Sequence, residues 1–80
     1  MQVKIVTFDE LSLQELYKVL QLRSEVFVVE QDCVYQDIDG KDQKALHVLG
    51  FNQRELMAYT RIFPPGYYFE EAAIGRVVVQ

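Results

Sequence analysis

The chain has 80 residues, 50% of them hydrophobic and 25% charged, with a formal net charge of −4. This balance belongs to one small folded domain and excludes a disordered chain. The net negative charge and scattered Lys and Arg residues argue against nucleic acid as a partner, and no apolar run is long enough to span a bilayer.

Val3 to Phe8 alternates apolar and polar residues, the period of a half-buried strand, and has no apolar signal core. Ser12-Leu13-Gln14-Glu15 then reads as a capping box, with Leu11 and Leu16 placed as a hydrophobic staple. The spacing predicts a helix from Leu13 to about Val29 with a broad buried face. Leu13, Leu16, Tyr17 and Leu20 form one stripe, with Val19, Leu22, Val26 and Val29 beside it. Glu30 to Lys44 is acidic and rich in turn formers, so it is expected to be a loop with at most one short helical turn.

Leu46 to Phe51 and Glu55 to Phe63 read as two strands of an antiparallel hairpin, turning at Asn52-Gln53-Arg54. In the second strand Leu56, Ala58, Thr60 and Ile62 are expected on one face, with Met57, Tyr59, Arg61 and Phe63 on the other. Pro64-Pro65-Gly66 ends it. Ala72 to Val79 is nearly continuous in apolar residues and reads as a last strand buried on both faces. The order is α+β: a mainly antiparallel sheet of about four strands with one long helix after the first. Left as an edge, the final strand would need cover, from a missing segment or from a second chain in a homodimer. The single cysteine and the absence of a targeting segment fit the cytoplasm.

Several separated pieces recur together: Leu22-Arg23-Ser24-Glu25-Val26-Phe27-Val28-Val29-Glu30-Gln31, Tyr35-Gln36-Asp37-Ile38-Asp39-Gly40, Asp42, His47, and Ile74-Gly75-Arg76-Val77-Val78-Val79. In this order and spacing they resemble the ElaA-like branch of the GNAT superfamily of N-acetyltransferases. The resemblance covers residues 1–80 and implies the N-terminal half of a single GNAT domain. It implies transfer of an acetyl group from acetyl-CoA to a small-molecule or peptide amine. In that family the strand matching Ala72–Val79 carries a bulge whose backbone meets the pantetheine and thioester, which points to Val77, Val78 and Val79. It is followed there by an Arg-x-x-Gly-x-Gly turn that cradles the pyrophosphate, and by a half that supplies a Tyr acid. Neither lies within these 80 residues, so the expectation is a chain inactive alone.

Acetyl transfer needs a held thioester, a polarised carbonyl, a neutral amine and an acid for the departing sulfur. Glu30 is the candidate base, and Tyr35, Asp37 and Asp39 are candidates for meeting the amine. The competing reading of Asp37, Asp39 and Asp42 is a solvated acidic loop. A calcium loop is excluded by spacing, since Gly40 falls fourth from Asp37 and Val48 twelfth. No metal site is expected. His47 reads as a hydrogen-bonded structural histidine more readily than as a base, and Cys33 has no activating neighbour in sequence. Arg23 is expected to pair structurally, while Arg61 and Arg76 are candidates for cofactor phosphate. Tyr67, Tyr68 and Phe69 would wall a pocket or cover the core. Two alternatives stand beside this reading: a non-catalytic fragment that pairs through its last strand, and a GNAT-like fold with acyl-homoserine-lactone synthase chemistry, which the Gln36–Asp39 stretch fits less well.

Overall fold

The computed structural model describes residues 1–30, 36–66 and 71–80. Four strands, β1 (Gln2–Thr7), β2 (Leu46–Asn52), β3 (Glu55–Phe63) and β4 (Ala73–Val79), form an antiparallel meander in which each pairs with the next. A helix, α1 (Leu13–Arg23), packs on one face of the sheet against β3 and β4. The core lies between them and is built from Val6, Val19, Leu22, Leu49, Leu56, Tyr59 and Val78.

The capping box forms as its spacing requires. The Ser12 hydroxyl accepts the Glu15 N–H at 3.0 Å, and Glu15 Oε1 accepts the Ser12 N–H at 2.9 Å. The other Glu15 oxygen takes Lys4 Nζ at 2.7 Å, which ties the helix start to β1.

Two features of the helix differ from expectation. The α-helical ladder ends at Arg23, and Ser24–Glu30 continues as a wider π-helical stretch. Val26, Val28 and Val29 are stiff β-branched residues that disfavour regular α-helix there. The buried stripe is Val19, Leu22 and Arg23, with Val26 and Phe27 partly buried beside it. Leu13, at 87% exposure, and Tyr17 face outward. The sheet offers room for one stripe only, and the one chosen brings Arg23 to its ionic partners.

The β2–β3 turn is Gln53-Arg54, both left-handed at φ 53 and 74, as a two-residue type I′ connection demands. Gly50 pairs with Ala58 but Phe51 pairs with Leu56, so Met57 is an extra residue in β3. That bulge corrects the expected alternation. Leu56 joins Tyr59, Arg61 and Phe63 on the buried face instead of opposing them.

The last strand also departs from its predicted two-sided burial. Val78 is 3% exposed, whereas Ile74, Val77 and Val79 are largely exposed, as are Val3 and Ile5. Among the described residues, the sheet carries its helix on one face alone. Among the described residues of the acidic stretch there is one short 3₁₀ turn, Asp42–Lys44. Among the described residues, no helix is long and apolar enough to cross a membrane.

Candidate functional site

The second irregularity of the sheet lies in β4. Tyr59 pairs with Val78 and Arg61 with Gly75, so two residues, Arg76 and Val77, oppose Thr60 alone. Arg76 is left-handed at φ 54, and the Thr60 hydroxyl donates to the Gly75 carbonyl at 3.0 Å. A bulge of this kind leaves one residue outside the ladder and re-aims those beyond it. Here Val78 turns into the core while Val77 and Val79, at 61% and 76% exposure, face outward.

Val77, Val78 and Val79 also border an apolar groove of about 160 Å³ shared with Val3, Val48, Ala58 and Thr60. Gly50 lets neighbours pack closely at this groove, because a Cβ there would lie 2.9 Å from Met1 Sδ and 3.1 Å from the Ala58 Cβ. The expected bulge is present in β4 at Arg76 and Val77, and Val78 and Val79 return to the ladder opposite Tyr59 and Ala58. An exposed edge strand with an interrupted ladder and an apolar wall suits an extended arm bearing amides and a thioester, which is the pantetheine part of an acyl-CoA.

The acidic loop meets a different fate from the one its composition suggests. Arg23 on α1, Arg61 on β3 and Arg76 on β4 converge on Asp37, Asp39 and Asp42. Arg23 Nη1 donates to Asp42 Oδ1 at 2.9 Å and Nη2 to the Asp37 carbonyl at 2.8 Å, while its Nε lies 3.2 Å from Asp37 Oδ2. Arg61 grips Asp39 with both Nη groups, at 2.9 and 2.6 Å, and shares Asp42 Oδ1 at 2.9 Å. Arg76 donates from Nε to Asp37 Oδ1 at 2.8 Å and from Nη2 to the Asp37 carbonyl at 3.2 Å and Asp39 Oδ2 at 3.4 Å.

The cluster balances three positive charges against three negative, which is the condition under which such groups tolerate burial. The Arg61 fork holds the Asp39 carboxyl well below the usual carboxylate range. Asp37 and Asp39, expected to meet the amine, thus have carboxylates committed to guanidinium groups. Their side chains tie the loop to α1, β3 and β4. Likewise Arg61 and Arg76, considered for cofactor phosphate, serve this cluster.

His47 is buried beside the same cluster. The Asp42 carbonyl, 2.8 Å from Nε2, can only accept, so Nε2 carries the proton and Nδ1 accepts the Tyr59 hydroxyl at 2.6 Å. Burial pushes the His47 pKa down and the Tyr59 pKa up, keeping both neutral. This is the structural histidine expected from its place at the start of β2.

Glu30 is exposed at the end of the π-helical stretch. Tyr35, Cys33, Tyr67, Tyr68 and Phe69 lie outside the described residues. Sequence reasoning did not see that the three arginines form one clamp. A signal was present: Arg23 lies in an apolar helix stripe and Arg61 alternates with Tyr59 and Phe63, where an unpaired charge would be prohibitive.

No protein-family model matches the chain. Protein ElaA of Escherichia coli (strain K12) is 53% identical over 73 residues, which cover 89% of this chain and 48% of that protein. A UPF0039 protein of Synechocystis is 42% identical over 72 residues, covering 89% and 47%. The crystal structure of Escherichia coli ElaA matches with a TM-score of 0.92 at 47% identity, over 99% of this chain and 55% of that one. That of an acyl-CoA N-acyltransferase from Pseudomonas aeruginosa matches with a TM-score of 0.95 at 40% identity, over 100% and 56%. The chain spans about half the length of the curated relatives it matches. It is a homologue of the ElaA and UPF0039 proteins and has, over its length, the fold of the GNAT acyl-CoA N-acyltransferases.

Proposed function

We propose that this chain contributes the donor-binding strand of an N-acetyltransferase that moves an acetyl group from acetyl-CoA to an amine. The observation that carries this reading is the β4 bulge, with Arg76 and Val77 set against Thr60 alone, inside a sheet that matches an acyl-CoA N-acyltransferase from Pseudomonas aeruginosa. The bulge at Arg76 and Val77, together with the outer edge of β4 beyond Val78 and Val79, leaves backbone groups for the pantetheine amides and the thioester carbonyl. Hydrogen bonding to that carbonyl would favour the oxyanion formed as the amine attacks. Acetyl-CoA supplies the activated acyl group, and the chain supplies position.

Glu30, exposed and on the segment leading to Tyr35, is the proposed acceptor of the amine's proton, directly or through water. Tyr35 is the proposed contact for the amine itself. Asp37 and Asp39 act on the acceptor only through the shape of the loop they hold. The cytoplasm, where acetyl-CoA and free amines meet, is the proposed location.

Titration of ¹⁵N-labelled protein with acetyl-CoA tests the reading. Amide shifts should concentrate at Thr60 and Val77–Val79, and CoA lacking the acetyl group should perturb fewer of them. Saturating acetyl-CoA that leaves those amides unmoved refutes the proposal.

A second reading rests on two features of the described residues: the exposed apolar surface of Ile74, Val77 and Val79, and the position of β4 as the last strand of the sheet. These features suit pairing with a second chain, as a dimer or with a complementary segment. Light scattering that finds a monomer at high protein concentration refutes self-pairing.

A further inference from the structure

Gly75 and Arg76 occupy positions opposite to what backbone preference favours. Arg76 holds the left-handed conformation at φ 54, while Gly75, which could adopt it freely, does not and has open space around its Cα. A bulge chosen for backbone ease alone would place glycine at 76. The side chain explains the exchange. From the bulge the Arg76 guanidinium reaches Asp37 Oδ1 at 2.8 Å and the Asp37 carbonyl at 3.2 Å, with Asp39 Oδ2 at 3.4 Å. Asp37 is itself buried and held from the other side by Arg23. The next residues, Val77–Val79, are those whose backbone the bulge re-aims.

We infer that Arg76 is a positioning residue that locks the acidic loop Gln36–Asp42 to the β4 bulge, so that the acyl donor's ledge and the loop on the acceptor side move as one body. This rests on the functional reading given above. Arg76 touches no reacting atom; it acts through the backbone of Val77 and through Asp37. Because the two regions share one anchor, occupancy of the ledge by acetyl-CoA should tighten the loop, and a loosened loop should weaken acetyl-CoA by the same factor.

The test compares wild type, Arg76→Gly, Arg76→Lys and Asp37→Asn in the full chain, by amide exchange without ligand and by acetyl-CoA titration. Arg76→Gly relieves the backbone conformation yet removes the anchor. It should speed exchange at residues 36–42 and at Val77–Val79 together and weaken acetyl-CoA by roughly tenfold, within the usual range of coupling between sites. Arg76→Lys keeps the charge without the fork and should fall between. Arg76→Gly with Asp37→Asn should be no worse than Asp37→Asn alone, since Asp37→Asn already weakens the link to Arg76 along with the one to Arg23.

If wild type does not respond to acetyl-CoA, the functional reading fails and this inference falls with it. If wild type responds and Arg76→Gly responds equally, or exchange quickens at the loop but not at the valines, this inference alone is overturned. Should Arg76→Gly not fold, Arg76→Lys decides on the same two readouts, and wild-type behaviour there overturns it.

Discussion

Replacing Arg23 by Met tests whether the ionic cluster organises this fold. Arg23 is fully buried, and its guanidinium serves Asp42, the Asp37 carboxylate and the Asp37 carbonyl. Met fills much of the aliphatic stem's space, so the loss falls mainly on the charge and its hydrogen bonds. The cluster would then hold two cations against three carboxylates, and removing one partner of a buried pair costs about 3–5 kcal/mol. An 80-residue domain has roughly 4–12 kcal/mol of stability in total, so the variant should sit near the edge of folding. Each kcal/mol moves the melting temperature of such a domain by about 4–8 °C, so a drop of about 12 °C or more is expected. Urea unfolding followed by near-ultraviolet circular dichroism reads this directly. Adding Asp42→Asn removes the surplus negative charge, and the double variant should recover about 1–3 kcal/mol relative to the sum of the singles. A single-variant cost below about 1 kcal/mol, or strict additivity in the cycle, refutes the reasoning.

Three further outcomes are expected. Gln53 and Arg54 are both left-handed, a conformation Asn and Gly adopt more readily, so Gln53→Asn with Arg54→Gly should stabilise the hairpin by about 1 kcal/mol. Thermal melts should rise by several degrees, and an unchanged midpoint would contradict the assigned turn. Ser12→Ala removes the acceptor for the Glu15 N–H and should cost about 1 kcal/mol in urea unfolding; no loss would mean the cap is not formed in solution.

The last concerns pH. His47 stays neutral in the fold because burial lowers its pKa, whereas in the unfolded chain it protonates near about 6.5. Below that value the unfolded state binds the extra proton, so stability should fall on acidification, by up to about 1.4 kcal/mol per pH unit, until the folded pKa is reached. Asp39, with its pKa lowered by Arg61, adds its own loss only below the ordinary aspartate range of about 3.9. Urea midpoints between pH 7.5 and 5 should therefore slope downward in wild type and flatten in His47→Gln. Equal slopes would show that His47 is not the group responsible.

Local chemistry was legible without coordinates. The capping box at Ser12, the hairpin, the short helical turn in the acidic stretch and the limits of β3 all follow from nearest-neighbour preferences that act over a few residues. The resemblance carried by the segments from Arg23 to Val79 pointed to the family and to the valines of β4. What only the tertiary structure decided was phase and pairing. The extra residue Met57 brings Leu56 onto the same buried face of β3 as Tyr59, Arg61 and Phe63, and the bulge at Arg76 and Val77 likewise shifts the phase of β4, because one inserted residue in a period-two strand exchanges the faces of the residues beyond it. The helix presented two adjacent apolar stripes of similar length, and the sheet selected the one carrying Arg23. Asp37, Asp39 and Asp42 lie within six positions of one another, but their partners at 23, 61 and 76 are far apart in the chain and meet only when α1, β3 and β4 pack. An acidic loop and its clamp have the same local sequence; distance in space separates the two.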